Sequence, residues 1–283
     1  MFSPIILRAD DDDAPAAPAG ITATANSSAR YGLFDGLDHR SSYGKDVYPE
    51  PLLVNDSNLE EDEARLEWFQ SRAAGHRENN VITPEIARGF GNLTLELAAP
   101  YEIDKAPRLT THGWDNMEVE ARHPLFEAVA PGGLADTTFG VALETGIPLH
   151  TVFSKNAEWV PEVFNDTRFG NFTLQSIFGY SMLFGGGDDG GLRTFEYGFT
   201  LGYAIRRPCP GVEQFTPVFE LSGEKELNKA ESNGVTASVG LRVSLKAIGR
   251  IEPHLGIGYL FPVNKAGLAE LQSGVYAMLV FDF

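Results

Sequence analysis

The stretch QSGVYAMLVFDF at residues 272–283 decides how the rest of the chain is interpreted. Successive side chains of a β-strand point to opposite faces, so Val275, Leu279 and Phe281 would share one apolar face. The stretch ends on the aromatic Phe283. Outer-membrane β-barrels are built from strands of alternating hydrophobicity with aromatic girdles at both membrane interfaces. The stretch therefore predicts the closing strand of such a barrel.

The same alternation recurs upstream. In residues 235–246, VTASVGLRVSLK, apolar side chains occupy one register and Thr, Ser, Gly, Arg and Lys the other. Further strands are predicted at 93–103, 116–126, 137–147, 158–165, 171–184, 195–206, 215–222 and 250–261. Short and long connections alternate between them, as in bacterial barrels. The sequence predicts an all-β fold, a transmembrane antiparallel up-and-down barrel of about ten strands, or twelve.

Composition excludes several classes of protein. The net charge of −17 argues against a nucleic-acid partner, which would need a basic surface. The chain has no run of about 18 apolar residues of the kind that forms a membrane helix. Cys209 is the single cysteine, so the sequence predicts no intramolecular disulfide.

Alternation alone does not say which face of the strands meets lipid. A soluble β-sandwich or a soluble ligand-binding barrel would bury the apolar face and expose the polar face to water. Three features favour the membrane: strands long enough to cross it at a tilt, aromatics clustered at strand ends, and many glycines on the polar face. The apolar face is therefore predicted to meet outer-membrane lipid, and the polar face to line a lumen.

The predicted lumen collects charged side chains from many strands. The candidate lining residues are Glu144, Glu196, Arg206, Glu220, Glu224, Arg242, Lys246, Arg250, Glu252 and His254. Two interpretations stay open. Acids and bases can pair across a narrow bore as a structural network, because an unpaired charge away from water is costly. They can also line a path for a solute.

The first 80 residues differ in character from the rest. Residues 1–30 are expected to be a disordered tail or the remnant of an export signal, since they hold a run of four aspartates and an Ala/Pro tract. Residues 31–80 are expected to form a mostly irregular periplasmic extension. Ser57 and Glu60 have capping-box spacing, which predicts one helix near 57–74. The barrel is then expected to span 81–283.

No catalytic, metal or cofactor site is expected. His123, His150 and His254 have no other histidine or cysteine at metal-ligand spacing. Ser222, Ser238 and Ser244 lack the sequence context of an activated nucleophile. The protein is accordingly predicted not to be an enzyme.

Residues 90–283 resemble the outer-membrane transporter family of the phenol-degradation MetA-pathway type. The resemblance is carried by the order of FGVALETGIPL at 139–149, WVPEVFNDTRFGNFTLQSIFGY at 159–180 and FTPVFELSGE at 215–224. It continues through VGLRVSL at 239–245, IEPHLGIGYLF at 251–261 and the terminal YAMLVFDF. The resemblance implies a channel for small, often aromatic or hydrophobic compounds, with Glu220 and Glu224 in the lumen.

Together these inferences predict an outer-membrane channel for passive movement of a small solute in a Gram-negative-type envelope. The partners are membrane lipid, the solute and a periplasmic protein recruited through residues 31–80. A further hypothesis is that residues 31–80 cap or plug the periplasmic mouth. The alternatives are a structural or partner-binding barrel whose lumen is closed by ion pairs, and a soluble ligand-binding barrel.

Overall fold

The computed structural model of the protein describes residues 52, 62–90, 93–130, 135–186, 190–228 and 232–283. These residues form one antiparallel sheet of fifteen strands and one short helix. The first strands are β1 Glu63–Ala73, β2 Arg77–Phe90, β3 Leu93–Ala98, β4 Tyr101–Ala106, β5 Leu109–Trp114, β6 Met117–Val129, β7 Ala135–Ile147 and β8 Ala157–Phe169. They are followed by β9 Phe172–Phe184, β10 Arg193–Tyr203, β11 Ile205–Cys209, β12 Val212–Glu226, β13 Asn233–Leu245, β14 Glu252–Pro262, α1 Lys265–Glu270 and β15 Ser273–Asp282. Within the described ranges, no helix is long and apolar enough to cross a bilayer.

The sheet closes on itself through β1. Glu63 lies opposite Asp282 of β15 on one side and opposite Ala87 of β2 on the other. Three barrel strands are each made of two successive segments: β3 with β4, β5 with β6, and β10 with β11. The result is a closed antiparallel barrel of twelve strands, the larger of the two predicted numbers.

All ten strands predicted from alternation are confirmed, with ends shifted by a few residues. The prediction of a helix near 57–74 is wrong for residues 63–73, which form β1. Both patterns are present in this stretch: Leu66, Phe69 and Ala73 fit helical spacing, whereas Ala64, Leu66 and Trp68 fit strand spacing. Pairing with β2 and β15 decides for the strand, because β1 closes the ring and pairs the backbone groups that two open edges would leave unpaired.

The predicted start of the barrel at residue 81 is also wrong, since the barrel begins at Glu63. The predicted tail at 1–30 lies outside the described residues. Of the predicted extension at 31–80, the structure describes 52 and 62–80, and most of 62–80 belongs to β1 and β2. Asp62 joins the barrel: its carboxylate accepts a hydrogen bond from the Gly89 N–H at 2.9 Å.

Inward and outward side chains differ in kind. Large apolar side chains point outward, such as Phe169, which is 68% exposed, and Ile257, which is 58% exposed. Inward positions hold buried polar and charged groups along most of the wall, for example Gln175 and Glu220. An apolar patch interrupts this polar lining on the β12–β15 side, where Val218, Leu260, Leu271, Tyr276, Met278 and Val280 are buried together.

The two ends of the barrel carry connections of different length. The end at which β1 starts and β15 finishes is called the terminal end, and the other the loop end. At the terminal end Gly170, with φ +59°, allows a turn of only two residues between β8 and β9. At the loop end the connections reach ten residues, at 263–272, and that connection holds α1. Asn264 caps α1 by accepting a hydrogen bond from the Gly267 N–H at 2.7 Å.

Candidate functional site in the barrel lumen

Eight of the ten predicted lumen residues lie on the inward register of strands. They are Glu144, Glu196, Arg206, Glu220, Glu224, Arg242, Glu252 and His254. The prediction for Lys246 and Arg250 needs correction. Both are exposed in the connection between β13 and β14, beyond the strand wall, because β13 ends at Leu245 and β14 begins only at Glu252.

Carboxylates dominate the lumen wall between β6 and β12. Glu120 of β6 lies directly opposite Glu144 of β7, and Glu196 of β10 directly opposite Glu224 of β12. Glu162 of β8 lies two strands from Glu196, with Gly179 of β9 between them. Like charges placed directly opposite each other on a sheet repel, so this wall favours a cation in front of it.

Arg122 of β6 joins Glu120 of the same strand to Glu96 of β3 in a buried cluster. Its Nε donates to Glu120 Oε1 at 2.6 Å, and its Nη2 donates to Glu96 Oε2 at 2.8 Å. The side chains of the three residues are at most 10% exposed. Charge-assisted hydrogen bonds of this length are among the stronger ones in proteins.

A second buried cluster surrounds Arg65 of β1. Arg65 lies 2.9 Å from Glu63 Oε1, 3.3 Å from Glu67 Oε1 and 3.7 Å from Glu85 Oε1. The Tyr276 hydroxyl donates a short hydrogen bond to Glu67. The sequence does not predict this cluster, because the helical spacing of residues 63–73 and the capping box that precedes them favour a helix outside the barrel. Strand parity, which places Glu63, Arg65 and Glu67 on one face, could have found it.

A cavity of about 330 Å³ opens in the acidic wall near the loop end. Its lining combines carboxylates with glycines and a tyrosine: Glu162, Ile177, Gly179, Glu196, Tyr197, Gly198, Ser222, Gly223, Glu224, Gly234, Thr236 and Glu270. Glu270 comes from α1, outside the strands. The pKa of Glu270 is raised above its ordinary value, mainly by partial burial and to a lesser extent by the negative charge of Glu226.

Leu52, which precedes β1 in the chain, lies inside the barrel. Its N–H donates to Glu220 Oε1 at 2.6 Å, and its side chain is only 2% exposed. The isobutyl group packs in the apolar patch of the β12–β15 side and contacts the inward faces of Gly240, Gly256 and Gly258. A residue that precedes the first strand therefore occupies part of the lumen.

His254 has partners that its sequence neighbourhood did not reveal. Its Nδ1 lies 3.0 Å from Ser244 Oγ, and its Nε2 lies 3.0 Å from Asp282 Oδ2. All three side chains are buried in the wall formed by β13, β14 and β15. Because β13 is paired on both sides, its backbone N–H groups are committed to the sheet and do not converge on Ser244 as an oxyanion hole would require. The arrangement brings buried polar groups of three adjacent strands into contact.

Comparison with known proteins agrees with the fold. No family model matches the chain, and no curated protein matches it. Among solved structures, an outer membrane channel from Pseudomonas putida F1 is similar with a TM-score of 0.55 and 11% identity, covering 83% of this chain and 100% of that one. The NanC porin is matched with a TM-score of 0.43 and 11% identity over 78% of this chain and 98% of that one. The first similarity shows that this chain has the barrel fold of an outer-membrane channel.

Proposed function

We propose that the protein is an outer-membrane channel for passive movement of small solutes. The observation that carries the proposal is the polarity of the barrel. Large apolar side chains cover the outside, whereas carboxylates and a cavity of about 330 Å³ lie inside. A soluble barrel has the opposite polarity, because its outer face must meet water. The simplest test is conductance of the purified protein in planar bilayers.

The lengths of the connections support one orientation in the membrane. Bacterial barrels have short periplasmic turns and longer extracellular loops. The two-residue turn at 170–171 lies at the terminal end, and the ten-residue connection at 263–272 lies at the loop end. We therefore place the terminal end, with the extension that precedes β1, on the periplasmic side.

The acidic wall supports a preference for cations. We expect replacement of Glu162, Glu196 and Glu224 by glutamine to lower the cation-to-anion permeability ratio several-fold, because these carboxylates attract cations into the lumen. The reversal potential under a KCl gradient measures this ratio. Glu78→Gln is the matched control, since Glu78 lies on the outward register of β2. An unchanged reversal potential in the triple variant would contradict a charge-selective path.

The position of Leu52 supports a plug formed by the segment before β1. We expect deletion of residues 1–58 to raise single-channel conductance, because it removes Leu52 from the lumen and leaves Asp62 and β1 in place. The full-length protein, measured in the same bilayers, is the reference. Equal conductance of the two proteins would count against a plug.

The class of solute is proposed more narrowly from the resemblance to the phenol-degradation MetA-pathway type. That resemblance implies small hydrophobic or aromatic compounds. The apolar patch on the β12–β15 side supports it, because part of the lumen can then contact an apolar body. Liposome uptake of phenol, compared with a sugar of similar size, tests this narrower proposal.

A second candidate function is a structural or partner-binding barrel. The observation in its favour is that Arg122 bridges two carboxylates and Arg65 three inside the lumen. In that case the extension before β1 would recruit a periplasmic protein, and neither the full-length nor the truncated protein would conduct ions. The bilayer measurement therefore separates the two candidates.

A further inference from the structure

We propose that the place occupied by Leu52 is a binding site for small amphiphilic amines, compounds with a branched apolar body and a cationic N–H head. The Leu52 seat is defined here by Val218, Glu220, Gly240, Gly256, Gly258 and Met278. The proposal rests on the proposed channel function, since a solute reaches the seat through the lumen. It goes further by naming what the seat recognises.

The polar end of the seat is Glu220. This carboxylate is 1% exposed and accepts the Leu52 N–H at Oε1 and the Ser238 hydroxyl at Oε2, both at 2.6 Å. A buried carboxylate is costly to keep charged, and an ammonium donor supplies the opposite charge as well as the hydrogen bond, whereas a neutral amide supplies only the hydrogen bond. An ammonium group in the place of the Leu52 N–H would therefore bind Glu220 more tightly than the chain itself does.

The apolar end of the seat is a floor of three glycines. None of Gly240, Gly256 and Gly258 has a positive φ, so the backbone conformation does not require glycine at these positions. Space requires it at two of them. A Cβ on Gly256 would lie 2.6 Å from Leu52 Cδ2 and 2.5 Å from Met278 Cγ, and one on Gly240 would overlap the Leu52 side chain. A Cβ on Gly258 would meet Leu52 Cδ1 at 3.4 Å, an ordinary contact, so only a larger side chain there would intrude. The floor is shaped to receive a branched apolar group.

The bound residue thus shows the chemistry that the seat accepts. Leu52 presents one N–H donor to Glu220 and an isobutyl group to the glycine floor, with Val218 and Met278 beside it. A free molecule with the same two parts is 3-methylbutylamine. Its uncharged analogue, 3-methylbutanol, keeps the apolar body and lacks the cation. The pair separates recognition by the carboxylate from simple filling of space.

The test uses the full-length protein in detergent micelles and isothermal titration with both probes. The Leu52→Gly variant is expected to bind 3-methylbutylamine about tenfold more tightly than the unmodified protein, because the isobutyl group no longer fills the glycine floor. The backbone N–H of residue 52 remains in this variant, but as a neutral donor without an apolar anchor it is displaced from Glu220 by the ammonium group. The same variant is expected to bind 3-methylbutanol about tenfold more weakly than the amine. Adding Glu220→Gln to this variant should remove its preference for the amine over the alcohol. Adding Gly258→Val instead should lower the affinity for both probes.

Two results would overturn the proposal: no gain in amine affinity in Leu52→Gly, or equal affinity for amine and alcohol in that variant. The second comparison needs no change at Glu220, so it stands even if the Glu220→Gln variant does not fold. Heat-modifiable gel mobility checks folding of each variant. Binding without conductance would support the seat and count against the channel, whereas conductance without amine binding would do the reverse.

Discussion

Replacing Arg122 with methionine is expected to lower the free energy of unfolding of the barrel by about 3–5 kcal/mol. The guanidinium holds Glu96 at 2.8 Å and Glu120 at 2.6 Å, and the Arg122 side chain is only 4% exposed. Removing it leaves two carboxylates facing each other across β3 and β6 without their cation. Equilibrium urea unfolding in detergent micelles, followed by tryptophan fluorescence, measures the change.

Two further variants make this experiment decisive. Arg77→Met is the matched control, because the Arg77–Asp104 pair is also 2.8 Å long but Arg77 is 61% exposed. Its removal should cost about 0–1 kcal/mol. Combining Arg122→Met with Glu96→Gln and Glu120→Gln should recover part of the loss, since both uncompensated charges are gone. Equal costs for Arg122 and Arg77 would show that the lumen cluster is well hydrated and contributes little.

Replacing Ile257 with lysine is expected to destabilise the barrel in lipid by about 2–4 kcal/mol. Ile257 lies at the middle of β14, points outward and is 58% exposed. In the proposed orientation it meets the hydrocarbon midplane, where an ammonium group is most costly. Unfolding in phospholipid vesicles, rather than in micelles, is the appropriate measurement because the penalty depends on bilayer depth.

The control variant places the same lysine at a different depth in the bilayer. Val263 is 54% exposed and lies just beyond the end of β14, near the predicted membrane interface. Lysine at Val263 should cost about 0–1 kcal/mol, because charged groups near the interface reach water. If Ile257→Lys were neutral, or made the protein soluble without detergent, the outer face would be a water-exposed surface and the soluble-barrel alternative would be favoured.

The strands could be predicted from the sequence where their two faces differ strongly. In β13, apolar side chains occupy every second position from Val235 to Leu245, and no helical pattern competes with them. In β1 the two patterns overlap at Leu66, so local sequence was ambiguous. Pairing with β15, at the other end of the described chain, and with the neighbouring strand β2 resolved the ambiguity.

For the lumen residues, too, local sequence predicted some features and the tertiary structure decided others. Parity within a strand placed Glu144, Glu196 and Glu220 correctly on the inward face. It placed Lys246 and Arg250 wrongly, because alternation does not show where a strand ends and a turn begins. For the eight residues on the inward register, a role in a solute path remains a prediction.

Partners across the barrel were beyond sequence reasoning. Glu220 accepts its hydrogen bond from Leu52, which is 168 residues away. The neighbours of His254 on adjacent strands, Ser244 and Asp282, are set by strand register rather than by any local motif. Register depends on the whole ring of pairings, so these contacts emerge only when the barrel closes.

By itself the sequence determined that the chain forms a β-barrel and which side chains of each clear strand share a face. The physical reason is that a strand alternates with a period of two, and lipid and lumen demand opposite polarities. Only the tertiary structure decided that β1 and β2 complete a ring of twelve strands, and that Leu52 sits against Glu220 on a floor of glycines. Those features depend on closure, which brings distant parts of the chain together and which no local pattern encodes.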